Sequence, residues 1–135
     1  MIIPGSANWG CNEMAKLEVI SITEKLSTFS DHWNPRIAGR YNGNEIRLAK
    51  LLGDFTWHSH ADTDELFLVI SGELGIEFRD GIRRLKAGEM IVVPKGTEHR
   101  PFADAECHIM LMDREGEPNT GGSPSERTRA RLEEI

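Results

Sequence analysis

The sequence predicts an antiparallel all-β sandwich or closed barrel. Three observations carry that expectation. Short apolar segments recur at even intervals from about Pro35 to Met112. Turn dipeptides separate them, at Asn42-Gly43, Ser71-Gly72 and Asp80-Gly81. Within the segments, residues alternate with the two-residue period of a strand, so that Leu74, Ile76 and Phe78 share one face.

The elements follow in order. Residues 1–14 hold Pro4, Gly5, Ser6 and Asn8 without a period and are expected as a poorly ordered lead-in. The barrel domain is expected over 15–115 and a C-terminal extension over 116–135. Ser21 or Thr23 can cap a brief helix running from about Thr23 to Phe29. Strands are expected at Arg36–Tyr41, Glu45–Leu52, Phe55–His60, Glu65–Ile70, Leu74–Phe78, Ile82–Leu85, Met90–Val93 and near Cys107–Met112. Gly116 to Ser123 reads as irregular chain. Pro124-Ser125-Glu126 is expected to open a short helix to Ile135, anchored by Leu132 and Ile135.

Composition narrows the function classes. The 135 residues suit one domain, and the formal net charge of −6 argues against nucleic acid or an anionic membrane as the main partner. No apolar run approaches the roughly 20 residues of a membrane span. The N-terminus lacks a signal-peptide pattern, so a cytoplasmic location is expected. Two cysteines, Cys11 and Cys107, are too few for a disulfide framework, and both are read as inert.

The chemistry concentrates in one constellation. His58 and His60 are two residues apart on an expected strand, so both imidazoles face one place. Glu65 opens the return strand across the turn Ala61-Asp62-Thr63-Asp64. An unpaired carboxylate in an apolar interior is costly, and a divalent cation removes that cost. His99, after the turn Pro94-Lys95-Gly96, is a fourth candidate. Three imidazoles and one carboxylate suit one divalent transition metal per chain, Fe, Mn, Zn, Ni or Co, and suit Ca²⁺ or Mg²⁺ poorly. A His-x-His pair alone is more often a pair of solvated residues. Glu65 across the turn is what strengthens the metal reading.

These residues sit in a pattern that resembles the cupin superfamily, in particular small single-domain bacterial cupins of the type-2 kind. Gly53, His58, His60, Glu65 and Gly72 resemble its first motif. Gly88, Pro94, Gly96 and His99 resemble its second. There are two departures. Four residues separate Gly53 from His58 where the family has five, and Ala103 stands where the second motif ends in Asn. The tail, with Asn119-Thr120-Gly121 and Ser125-Glu126-Arg127-Thr128, is similar to small stand-alone bacterial cupins. The resemblance implies a double-stranded β-helix, a conical jelly-roll barrel. It also implies His58, His60, Glu65 and His99 as ligands, with one or two coordination positions open to water or a small-molecule substrate.

Glu65–Ile70 is apolar on both faces. If Glu65 faces the metal, Phe67 and Val69 line the interior while Leu66, Leu68 and Ile70 point outward and need cover. That cover is either the N-terminal segment or a second subunit, and a homodimer over this face is expected. Trp57 and Trp33 are read as packing, the latter as a cover over the barrel base. His32 and the Arg83-Arg84 and Arg100 charges are read as surface groups, and His108 as more often outside the pocket than in it. Two function classes compete: a small-molecule metalloenzyme of oxygenase, isomerase or lyase type, or a ligand-binding or sensing module in which the metal only anchors the ligand.

Overall fold

Asn42 and Gly43 both adopt positive φ, 50° and 75°, and so turn β1 (Arg36–Tyr41) directly into β2 (Asn44–Asp54). The computed structural model describes residues 17–135; Cys11 and the expected 1–14 lead-in lie outside the described residues. After β2 come β3 (Glu65–Ser71), β4 (Glu73–Phe78), β5 (Gly81–Lys86), β6 (Met90–Val93) and β7 (His99–Arg114). Gly72, at φ 83°, makes the link between β3 and β4. A Cβ there would come within 2.8 Å of the Glu106 carbonyl oxygen.

β7 is the spine of the fold. One edge pairs antiparallel with β2 from Asn44↔Arg114 to Asp54↔Phe102. The other edge pairs with β4 over its first part and with β3 over its second. β6 pairs with β3, and β5 with β4. Burial alternates along these strands as the two-residue period demands: Glu65, Phe67 and Val69 are buried, Leu66, Leu68 and Ile70 only partly so.

Two apolar clusters result. The interior one contains Phe67, Val69, Leu74, Ile76, Ile109 and Leu111. The second lies on the outer face of the sheet, where Leu26, Phe29 and Ala38 cover Leu48 with Ile70 and Met110 at its margin. The chain before β1 therefore covers part of the outward face that the sequence left open. It does so through α1 (Ile22–Leu26), which Ser21 caps by accepting from the Glu24 amide at 3.2 Å. α1 is shorter than the expected Thr23–Phe29, because the Ser27 and Thr28 hydroxyls bond the Glu24 and Lys25 carbonyls and end it.

Three further expectations are corrected. The Phe55–His60 segment is not a strand; only His58 pairs, through a two-bond bridge with His99. The last strand begins at His99, well before Cys107. No C-terminal helix forms. Residues 116–135 make turns, and Ile135 returns to β1 by donating to the Ile37 carbonyl. In that segment backbone donors go to side chains: Ser125 N–H to Thr128 Oγ1 at 2.9 Å and Arg129 N–H to Asn119 Oδ1 at 2.9 Å. A helix would have to give those bonds up. Ile135 still packs on the outer cluster. Among the described residues no helix is long and apolar enough to cross a membrane.

Gly75 and Phe102 pair across β4 and β7 with the ring lying over the glycine. A Cβ on Gly75 would sit within 2.6 Å of ring carbons. Gly75→Ala should therefore destabilise the protein by about 1–3 kcal/mol in urea unfolding. Combining it with Phe102→Leu should recover part of that loss.

Candidate metal centre

His58, His60, Glu65 and His99 come together inside the barrel, all buried, with one ligand atom from each lying within 4.8 Å of the others. Glu65 is the first residue of β3 and His99 the first of β7. His58 is held beside His99 by paired backbone bonds of 3.0 and 2.9 Å, and the His60 carbonyl accepts from the Gly96 amide at 2.8 Å. The second turn, Pro94-Lys95-Gly96, thus fixes the end of the first histidine pair.

Each imidazole uses its Nδ1 elsewhere. His58 Nδ1 donates to the Thr56 carbonyl at 2.9 Å and His99 Nδ1 to the Thr97 carbonyl at 2.8 Å. His60 Nδ1 donates to Glu117 Oε2 at 2.9 Å. Carbonyls only accept, so the first two rings carry their neutral proton on Nδ1 and turn an Nε2 lone pair inward. His58 Nε2 and His60 Nε2 are buried without any hydrogen-bond partner. Glu65 Oε1 lies 3.2 Å from His99 Nε2 and 3.4 Å from His60 Nε2. Orphaned buried nitrogens are unfavourable, and a cation at the point they share satisfies them together with the carboxylate. The cluster could hold a metal ion.

The electrostatics are uneven around the ring. Burial, aided by the neighbouring His99, pushes His58 down to about 4. His60 is also penalised by burial, but the Glu65 and Glu117 carboxylates beside it win and hold its pKa above the ordinary value. For Glu65, burial raises the pKa, but the facing His60 and His99 imidazoles outweigh it and keep the carboxylate well below its usual range. Burial, and then the adjoining Glu65 charge, raise Asp113 well above its ordinary carboxylate value.

The spacing rules did not single out Asp113, Arg47, Glu45 and Glu117. Arg47, 1% exposed, donates to Glu45 Oε1 at 2.7 Å, to Asp113 Oδ2 at 3.2 Å and to the Glu117 carbonyl at 2.8 Å. The alternation of β7 carried the signal for Asp113, which continues the inward row Cys107, Ile109, Leu111. The same row turns His108 outward, toward Glu106 at 3.5 Å and away from the site. Cys107 is fully buried, and burial followed by the Glu73 charge raises its thiol to about 11, leaving it inert. Trp33, 4% exposed, is an interior residue: it stacks on Phe55 at 4.8 Å and donates its indole N–H to the Leu52 carbonyl. Trp57 lies under the Arg79 guanidinium at 3.8 Å, and Arg83, Arg84 and Arg100 each pair with surface acids. His32 pairs with Glu106. A cavity of about 40 Å³ adjoins the cluster, lined by His58 and Glu65 together with Trp33, Phe55, Phe67 and Asn119 among others.

A short-stranded β fold whose interior holds three histidines and a glutamate at these spacings defines a cupin, and the chain belongs to that family. Residues 47–113 match the Cupin domain family, Cupin_2. A cupin-2 domain containing protein from Shewanella frigidimarina NCIMB 400 is 46% identical, with a TM-score of 0.71 over 75% of this chain and 97% of that one. Protein NMB1881 from Neisseria meningitidis is 35% identical, with a TM-score of 0.67 over 72% of this chain and 99% of that one. The uncharacterized protein YdbB of Bacillus subtilis (strain 168) is 48% identical over 80 residues, which are 58% of this chain and 65% of that relative.

The pKa directions give a pH prediction. A group whose folded pKa lies below its unfolded value withdraws stability as pH falls through that interval. His58 does so between 6.5 and about 4. Chelator-treated protein should lose melting temperature across that window, and the loss should be shallower in His58→Leu. His60 acts in the opposite sense, holding its proton above pH 6.5. Metal uptake must expel that proton. Zn(II) affinity measured against pH should therefore begin to fall at a pH above 6.5, earlier than ordinary histidines would dictate.

Proposed function

We propose that this protein is a metal-dependent small-molecule enzyme that binds one divalent transition ion, Fe, Mn, Zn, Ni or Co, per chain through His58, His60, Glu65 and His99. The observation that carries the reading is the convergence of three inward Nε2 atoms on a buried carboxylate, two of them without a hydrogen-bond partner. Such a mixed nitrogen and oxygen set suits borderline transition metals. The ion would supply Lewis acidity or, as iron, redox chemistry of the oxygenase type, with isomerase and lyase reactions as the redox-neutral counterparts.

The protein's own contribution is a dry, shaped approach. The Trp33–Phe55 stack, Phe67 and Leu111 line the cavity and exclude water. Three of the polar side chains along it are already engaged, Trp33 with Leu52, Arg47 with two acids, and Asn119 with the Arg127 carbonyl and the Arg129 amide, whereas Asp113 Oδ1 has no partner. Among the described residues, no unpaired cation lines the cavity to meet a second anionic group. This favours a small substrate with an apolar body and a single metal-binding end over a sugar or a polyanion.

Elemental analysis of protein purified without added metal should find about one ion per chain. Less than a tenth of that should remain in the His58→Ala/His60→Ala variant, and full occupancy there would overturn the assignment. Anaerobic Fe(II) loading separates the reaction types. Nitric oxide binding with a high-spin signal supports the oxygenase type, and equal turnover with Zn(II) and Fe(II) supports Lewis-acid chemistry. Tight ligand binding without turnover under any of the five metals would replace the enzyme with a sensing module.

The same reading includes a homodimer. Cross-strand rows on the outer sheet face join Val92, Leu66 and Met112, and Met90, Leu68 and Met110. Among the described residues, α1 and its neighbours cover only the Met110 end, while Met90 is 63% exposed and Val92 50%. Such a patch on an edge strand suits a second copy of the chain. Sedimentation equilibrium at tens of micromolar should give a dimer, and Leu68→Asp should shift it to monomer.

A further inference from the structure

We propose that Glu117, carried by the C-terminal segment, is the positioning residue of His60: it holds the ring so that Nε2 enters the metal site. This rests on the metal reading above and goes beyond it, because it assigns a role outside the matched family region, which ends at residue 113.

The three histidines are not held alike. His58 and His99 donate Nδ1 to carbonyls two residues earlier in their own segments, Thr56 and Thr97. Their ring orientation is set by local backbone. His60 has no such local acceptor; its Nδ1 goes to a carboxylate 57 residues away. The backbone that carries it is itself held. The Glu117 carbonyl accepts from Arg47 at 2.8 Å, and the Gly116 amide donates to Glu45 Oε2 at 3.3 Å. Beyond it, the chain closes on the other side of the histidine. The Gly122 amide donates to the Ser59 carbonyl at 3.1 Å, and a Cβ on Gly121 would lie within 2.8 Å of the Ser59 carbonyl carbon. Residues 116–122 therefore bracket His60, and only glycine lets the second half approach so closely.

A carboxylate on Nδ1 does two things that a carbonyl does not do as strongly. It fixes the tautomer, and its negative charge makes the opposite nitrogen a better donor to a cation. Glu117 thus sets both the aim and the donor strength of one ligand.

The test uses the full chain and the variants Glu117→Gln and Glu117→Ala. Imidazole ¹⁵N shifts of the metal-free proteins read the His60 tautomer, and optical titration with Co(II) reads affinity and ligand-field bands. Glu117→Ala should lose the fixed Nδ1–H form, bind Co(II) about 100-fold more weakly and shift the bands. Glu117→Gln, which keeps an acceptor and the side-chain shape but not the charge, should keep the tautomer and lose about tenfold. If Glu117→Ala misfolds, a Glu117→Gln variant with wild-type Co(II) affinity overturns the proposal. So does a folded Glu117→Ala with unchanged tautomer and affinity. A wild-type protein that takes up no Co(II) at all overturns the metal reading itself, and this inference with it.

Discussion

Glu65 is a carboxylate with almost no access to water, and the interior is arranged around keeping it charged. Its neighbours across the sheet are Asp113 and, beyond that, Glu45, which pairs in register with Asp113. One guanidinium, Arg47, serves both Glu45 and Asp113. Were all three acids ionised, one cation would face three anions in a low-dielectric interior, where each unpaired charge is expensive. Burial and the Glu65 charge raise the Asp113 pKa, which favours its neutral form and relieves part of this. Arg47 lies closest to Glu45, while the Glu65 charge faces the imidazoles. The three imidazoles place their nitrogens around that charge. A divalent ion is the species that meets both needs at once, since neutral imidazoles contribute donors without adding charge.

The outer face depends on this interior by simple geometry. A strand alternates, so committing one face of β3 and β7 to the site sends Leu66, Leu68, Ile70, Met110 and Met112 to the other. That face is apolar and needs its own cover. The chain before β1 supplies some of it through Leu26 and Phe29, and Ile135 adds to the same cluster from the opposite terminus. The two ends of the described chain thus meet over Leu48, and among the described residues nothing covers the part of the sheet nearer β6. The barrel is accordingly held from both faces, and its interior need not be apolar throughout to be stable.

Much of this was legible in the sequence, and the misses have physical causes. Turn dipeptides located the hairpins, since Asn-Gly and Ser-Gly satisfy positive φ wherever they stand. The spacing of His58, His60, Glu65 and His99 indicated one cluster, and the structure brings those four residues together. The Phe55–His60 segment makes a single bridge rather than a ladder, so it is not the strand its residues suggest. The C-terminal helix was expected from its charges and Leu132, but Thr128 and Asn119 capture the amides that a helix needs. In β2 the alternation of Ile46 and Leu48 with Glu45 and Arg47 did not disclose that the charged pair faces inward. Hydrophobic periodicity gives the period of a strand and not its sign when both faces are buried. Glu117 carried no local signal at all, because its partner is 57 residues distant.

The sign of β2 explains how one small barrel holds both a site and a core. Read across the sheet, the inward residues form layers. Glu45 stands opposite Asp113; next come Arg47, Leu111 and Phe67; then Ala49, Ile109 and Val69; then Leu51 and Cys107. Polarity falls steadily along that series, from a row of carboxyls to a row of fully apolar side chains. The charged layer thus rests on a dry one, and the dry layer excludes the water that would otherwise screen the site. The same gradient accounts for the opposite shifts of His58 and His60. Phe55 meets His58 edge-on at 5.2 Å, whereas His60 lies between Glu65 and Glu117. Two residues of separation along the chain are enough to move an imidazole from an apolar wall to an anionic one, and the layered interior makes that difference permanent.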